Sequence, residues 1–148
     1  MVTGDAPHRL GIDAGSKTVK AVVLDENDRV VFSTYRRHRA DILRTIADVL
    51  HDLNWRCGSL VTTVAVTGSA GMQLAEHMGV PFVQEVVATT RAVQQALPRA
   101  DAFIELGGED AKVVYLTGGV EQRMNATCAG GTGGFIDTIA FMLGVKPA

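Results

Sequence analysis

Three stretches of the chain combine residue types that can grip phosphate, metal or iron. The first is Gly11-Ile-Asp-Ala-Gly-Ser16, followed by Lys17 and Lys20. Small residues at Ala14, Gly15 and Ser16 leave backbone N–H groups open, and successive N–H groups in a tight turn cradle phosphate oxygens. Asp13 precedes them, where a carboxylate can hold Mg2+ through water, and Lys17 or Lys20 can offset phosphate charge. The pattern is not a Walker A loop, because GxxxxGK[ST] is not matched. Taken alone, it equally describes a hairpin turn capped by Asp and Ser.

The second stretch is Ile104-Glu-Leu-Gly-Gly-Glu-Asp-Ala-Lys112. It has the same make-up: an acid, Glu105, at a strand end, then Gly107 and Gly108, with Asp110 just beyond. Two such hairpins in one sheet would pinch a polyphosphate between them. A glycine turn with solvated acids is the plain alternative, and the repetition of one chemical pattern tells against it. The third stretch is Met124-Asn-Ala-Thr-Cys-Ala-Gly-Gly-Thr-Gly-Gly-Phe-Ile-Asp137. Cys128 sits in a small-residue loop that leads into a helix, and a helix N-terminus favours a thiolate or an anionic cluster. Cys128 is therefore a metal or cluster ligand, or else a small packing residue, the commoner fate of a lone cysteine. One cysteine cannot hold a cluster by itself. Cys57, near Trp55 at a helix end, reads as structural.

Other segments carry weaker signals. Thr67-Gly-Ser-Ala-Gly71 reads as a strand-to-helix turn with a minor chance of nucleotide contact. Gly131-Thr-Gly133 follows no apolar strand, so it is no Rossmann fingerprint. Arg36-Arg-His-Arg39 reads as a solvated loop without the aromatic residues of a nucleic-acid surface. His8, His38, His51 and His77 show no metal spacing, and most of them read as surface residues.

The elements that must hold these stretches follow from patterning. Leu10–Asp13, Thr18–Leu24 and Arg29–Tyr35 read as a three-stranded antiparallel meander. Ile42, Leu43, Ile46, Val49, Leu50 and Leu53 follow helical spacing within Ala40–Trp55. A strand over Val61–Val66, helices over Met72–Met78 and Val86–Leu97, strands over Ala102–Leu106 and Ala111–Thr117, and a helix over Thr132–Leu143 complete the order β-β-β-α-β-α-α-β-β-(β)-α. That order predicts an α/β, ribonuclease H-like fold with a mixed, five-stranded type of sheet flanked by helices.

Composition narrows the function classes. The 148 residues are 47% hydrophobic and 20% charged, as in a globular domain of one core. The formal charge of −2, from 14 Lys+Arg against 16 Asp+Glu, argues against a nucleic-acid partner. No apolar run reaches the ~20 residues of a membrane span. Met1–Arg9 lacks a hydrophobic signal region, so a cytoplasmic protein is expected, and a disulfide between two distant cysteines is not. Eight of the 16 glycines fall between Gly107 and Gly134, as tight turns or backbone close to a ligand require.

Taken in order, GIDAGSKTVK, IELGGEDAK and RMNATCAGGTGGFID resemble the ATPase activators of 2-hydroxyacyl-CoA dehydratases and the related benzoyl-CoA reductase subunits, the BadF/BadG/BcrA/BcrD type. This superfamily includes sugar kinases, actin and heat-shock chaperone ATPases. The resemblance runs from Arg9 to Leu143, and its cysteine segment is the most specific part. IELGGEDAK and Gln84-Glu-Val-Val-Ala88 look closest to the long, multidomain activases.

The resemblance implies ATP or ADP with Mg2+, bound through Asp13, Gly15, Ser16, Lys17, Lys20, Gly107, Gly108 and Asp110. It implies catalytic roles for Asp13 and Glu105, the latter standing where short activators carry Asp. It implies that Cys128 ligates a [4Fe–4S] cluster shared between two subunits, each supplying two cysteines. The second cysteine and the adenosine-binding glycines are expected beyond Ala148. The chain is accordingly expected to be a truncated piece, with a flexible N-terminus at 1–8 and one subdomain over 9–148, weak or inactive as an ATPase alone. The implied function is ATP-driven, low-potential electron transfer to a 2-hydroxyacyl-CoA dehydratase or benzoyl-CoA reductase-like partner, from a homodimer with no nucleic-acid or membrane partner. Two other readings stay open: a sugar- or acetate-kinase-like phosphotransferase in which Cys128 only packs, and a non-catalytic docking or dimerisation module.

Overall fold

The computed structural model describes residues 8–58, 62–124 and 132–146. The expected flexible terminus, apart from His8, lies outside the described residues, as do the first residue expected in the Val61–Val66 strand and the loop with Cys128. The chain divides into two compact units, Met1–Glu85 and Val86–Ala148.

The first unit opens with strands β1 (His8–Ala14), β2 (Thr18–Leu24) and β3 (Val30–Arg37), the antiparallel meander that the β-branched runs predict. Strand period puts alternate residues on one face. Leu10, Ile12 and Ala14 of β1 and Val19, Ala21 and Val23 of β2 are accordingly buried. Asp25 makes the β2–β3 turn, its carboxylate accepting the N–H groups of Asn27 and Arg29, both at 2.8 Å. Those bonds, Arg29 foremost, hold its carboxyl below the usual 3.8.

Helix α1 (Ile42–Cys57) packs on β2 and β3 and buries Ile46, Val49 and Leu53, the stripe its 3.6-residue spacing requires. Asp41 caps it, accepting the Arg44 N–H at 3.2 Å. Burial of each such side chain contributes roughly 1.5–3 kcal/mol.

Strand β4 (Thr62–Thr67) then returns beside β1, in parallel, and helix α2 (Gly71–Met78) follows. Gly79 ends α2 at φ 65°, with the Val80 N–H reaching back to the Ala75 carbonyl at 3.0 Å. The sheet order is β3-β2-β1-β4, mixed as expected. At its β4 edge a fifth strand shrinks to a single parallel bridge, Val66 with Phe82. Pro81 accepts the Val66 N–H but has no N–H to extend the ladder.

The second unit takes in nearly all of α3 (Glu85–Ala96), then strands β5 (Ala102–Leu106), β6 (Ala111–Tyr115) and β7 (Glu121–Met124), and helix α4 (Gly133–Met142). The three strands pair as an antiparallel meander, β5-β6-β7. The two acidic glycine turns thus belong to different sheets, which corrects the expectation of one shared sheet. Hairpin signals are local: they pair each strand with its chain neighbour but do not say which sheet the pair joins.

Thr132 caps α4, its hydroxyl accepting the Phe135 N–H at 3.4 Å. Thr132→Ala is expected to destabilise the second unit by about 1 kcal/mol. A lowered urea midpoint with an unchanged slope will register that loss, and an unmoved midpoint will refute the cap.

Candidate functional site

The first acidic turn is built at the C-terminal ends of β1 and β4. The register sets Asp13 opposite Lys20 on one side and Thr67 on the other. Lys20 Nζ donates to Asp13 Oδ2 at 2.7 Å, with both side chains partly exposed. The other oxygen, Asp13 Oδ1, is buried with no hydrogen-bond partner among the described residues, and so is Thr67 Oγ1. Buried polar atoms are normally paired, so two orphans at adjoining register positions point to an absent ligand. Both are hard oxygen donors, and a Mg2+ ion with its waters fits that chemistry.

The tip of the turn is Gly15-Ser16-Lys17. The Gly15 N–H is spent on the Thr18 carbonyl at 2.9 Å. Among the described residues, the Ser16 and Lys17 N–H groups donate no backbone hydrogen bond, which leaves them for phosphate oxygens.

Gly68 completes the seat. A Cβ there would stand 2.5 Å from both the Ala14 carbonyl oxygen and Asp13 Oδ1. Its φ of +95° is a second reason for glycine. From sequence, Thr67 and Gly68 read as part of a strand-to-helix turn with a minor chance of nucleotide contact, because the parallel pairing that sets them beside Asp13 is long-range.

His38 is also misread from sequence. It is 6% exposed and sits against the Gly15 turn, whereas a mostly surface role is expected of the histidines. The Arg36–Arg39 run is likewise no simple solvated loop. Arg36 and Arg37 are strand residues opposite Val19 and Thr18, and Arg36 pairs with Asp52 of α1.

The second acidic turn joins β5 to β6. Glu105 is half-buried and lies opposite Lys112 in the register. Lys112 Nζ is 3.5 Å from Asp110 Oδ2. The Asp110 side chain folds under the turn, where a Cβ on Gly107 would stand 2.5 Å from Asp110 Oδ1. The turn closes with the Gly107 N–H on the Asp110 carbonyl at 2.8 Å.

The turn's own carbonyls meet α4: the Gly133 N–H donates to Gly107 at 2.8 Å and the Gly134 N–H to Gly108 at 2.9 Å. Each unit thus gathers its own expected site residues. Asp13, Gly15, Ser16, Lys17 and Lys20 lie together in the first, and Glu105, Gly107, Gly108 and Asp110 in the second. Cys128 lies outside the described residues. Among the described residues, no group of three or more His, Cys, Asp or Glu could hold a metal ion.

Comparison with known proteins decides the family. The model of the BadF/BadG/BcrA/BcrD ATPase family matches residues 10–147. The chain belongs to that family. This member of the BadF/BadG/BcrA/BcrD family is 28% identical over 144 residues to the (R)-2-hydroxyglutaryl-CoA dehydratase activating ATPase of Acidaminococcus fermentans, covering 94% of this chain and 55% of that protein. It superposes on the crystal structure of component A of the (R)-2-hydroxyglutaryl-CoA dehydratase from Acidaminococcus fermentans with a TM-score of 0.76, at 26% identity, over 95% of this chain and 56% of that one. The activator of the 2-hydroxyisocaproyl-CoA dehydratase from Clostridium difficile, solved with bound ADPNP, also gives 0.76, at 27% identity, over 94% of this chain and 53% of that one.

The fold is that of the actin, sugar kinase and Hsp70-like ATPases. The BadF/BadG/BcrA/BcrD chain spans about half the length of the curated relatives it matches. Among its described residues, no helix is long and apolar enough to cross a membrane.

Proposed function

We propose that this chain is the nucleotide-binding part of an ATP-hydrolysing activator that drives low-potential electrons into a 2-hydroxyacyl-CoA dehydratase or benzoyl-CoA reductase-like partner. The observation that carries this reading is the pair of hydrogen bonds from the first N–H groups of α4 to Gly107 and Gly108. They tie a phosphate-type turn to the helix that follows Cys128, so a shift at one is felt at the other. The two named dehydratase activators it resembles support the same reading.

Each residue then has a task. Asp13, with Thr67 beside it, holds the Mg2+ of MgATP through water. The Ser16 and Lys17 N–H groups take phosphate oxygens, while Lys20 balances the Asp13 charge. Glu105 accepts a proton from the attacking water, its extra methylene reaching further than the Asp of short activators. Gly107 and Gly108 follow the γ-phosphate, and Asp110 keeps their turn shaped. In the intact homodimer, Cys128 ligates a [4Fe–4S] cluster, which supplies the one-electron chemistry when bound.

Anaerobic purification of the full-length protein tests this. The parent is expected to be brown, with iron and sulfide in equal amounts and Mg2+-dependent ATPase activity. Cys128→Ala is expected to lose the iron and keep ATPase activity within about threefold. Iron-free parent protein, or full iron in Cys128→Ala, will overturn the electron-transfer reading and leave a phosphotransferase.

A further inference from the structure

The ring of His38 touches the tip of the first acidic turn from a position that no part of the reaction above uses. Its Nε2 lies 3.2 Å from the Gly15 carbonyl oxygen, and its Nδ1 accepts the Ala40 N–H at 3.1 Å. A carbonyl only accepts and an amide only donates, so these partners select the neutral ring with its proton on Nε2. The His38 backbone N–H adds a bond to the Lys17 carbonyl at 3.2 Å. One residue therefore pulls on the carbonyls on either side of Ser16.

The consequence follows from peptide geometry. In a trans peptide, C=O and N–H point in opposite directions. Drawing the Gly15 carbonyl toward His38 turns the Ser16 N–H away from it, outward at the exposed tip. The brace is itself anchored. Arg39 and Ala40 take φ of 46° and 69°, bending the chain so that the ring folds back on the turn. The Asp41 N–H then bonds the His38 carbonyl at 2.7 Å, and Asp41 caps α1, whose Ile46, Val49 and Leu53 are in the core. The turn is thus referenced to the body of the unit.

We propose that His38 is a positioning residue: by holding the Gly15 carbonyl, it aims the Ser16 N–H at a phosphate oxygen of the bound nucleotide. This rests on the reading of the Gly15–Lys17 turn as a phosphate site. Two substitutions separate positioning from packing. His38→Gln keeps an N–H donor where Nε2 stands, and His38→Asn keeps an acceptor where Nδ1 stands.

The test uses full-length protein labelled with 15N-serine and 15N-histidine, titrated with MgADP. The parent is expected to show the Nε2-protonated tautomer and a Ser16 amide signal that moves on binding. His38→Asn is expected to displace that amide signal before any nucleotide is added and to weaken MgADP binding about tenfold, as loss of a charge-assisted hydrogen bond does. His38→Gln is expected to restore both. An Nδ1-protonated ring, an unmoved Ser16 signal in His38→Asn, or equal losses in both variants will overturn the role of His38 while nucleotide binding by the parent persists. A parent that does not bind MgADP overturns the phosphate reading itself, and the role of His38 with it.

Discussion

Gly68→Ala is expected to lower the thermal midpoint of the first unit by about 10 °C or more. The new Cβ would meet Ala14 O and Asp13 Oδ1 at 2.5 Å and the Ala14 carbonyl carbon at 2.6 Å. Two of these are backbone atoms of a strand whose Ala14 and Ile12 are buried, so β1 cannot simply move aside. Overfilling a packed site costs about 1–3 kcal/mol. The backbone adds to this, because φ of +95° is a region L side chains rarely adopt, at roughly 1–3 kcal/mol.

Relief would require opening the turn, but the Ala70 N–H holds the Ala14 carbonyl at 2.9 Å and the Gly71 N–H holds Gly68 at 2.9 Å. A domain of 60–100 residues loses about 4–8 °C per kcal/mol, which sets the size of the fall. Circular dichroism on heating measures it. A midpoint within about 2 °C of the parent would mean that the close approach of β1 and β4 at this turn is wrong.

Asp13→Asn separates activity from stability. The side chain keeps its shape and loses its charge. The ion pair with Lys20 has side chains 42% and 24% exposed, so it is screened and worth roughly 0–1 kcal/mol. Against that small loss stands a gain, since a neutral amide costs less to bury than a carboxylate, and Asp13 Oδ1 is buried with no hydrogen-bond partner among the described residues. The thermal midpoint is therefore expected to stay level or rise slightly.

Activity goes the other way. Removing one preorganised electrostatic contact in an active site lowers turnover by about 10²–10³-fold, and a loss of that size is expected here. Mg2+-dependent ATP hydrolysis by the full-length variant is the measurement, paired with its melting curve. Turnover within about threefold of the parent would remove Asp13 from the site. A sharply lowered midpoint would show that its carboxylate serves the fold instead. A role in holding the nucleotide would explain why a carboxylate with one buried, unbonded oxygen is kept where an amide would be at least as stable.

Both predictions concern one corner of the first unit, whose residues are not equally legible in the sequence. Asp13 and the small residues after it stand out because a strand, an acid and a glycine turn are contiguous in the chain. The meander, α1 with its Ile46–Val49–Leu53 stripe and the second glycine turn are legible for the same reason. Each is encoded within a few residues by alternation, helical period or turn chemistry.

Thr67 and Gly68 were not legible as site residues. Thr67 reaches Asp13 through a parallel pairing whose register is settled by burying Val64 and Val66 against the core, far along the chain. His38 reads as exposed because its neighbours are arginines, which mark a solvated run, while its ring is captured by a turn far back in the chain. The placement of the two acidic turns in separate sheets is of the same kind.

Local chain chemistry thus dictated the strands, helices and acidic bends of this protein, along with its membership of an ATPase family. Only the tertiary structure shows which distant groups close on the first of those bends: an orphaned hydroxyl, a glycine with no room for a methyl, and a histidine beneath the tip. The reason is physical. Turn and helix preferences act over a few bonds, whereas burial and pairing join residues by proximity in space, which no short window of sequence records.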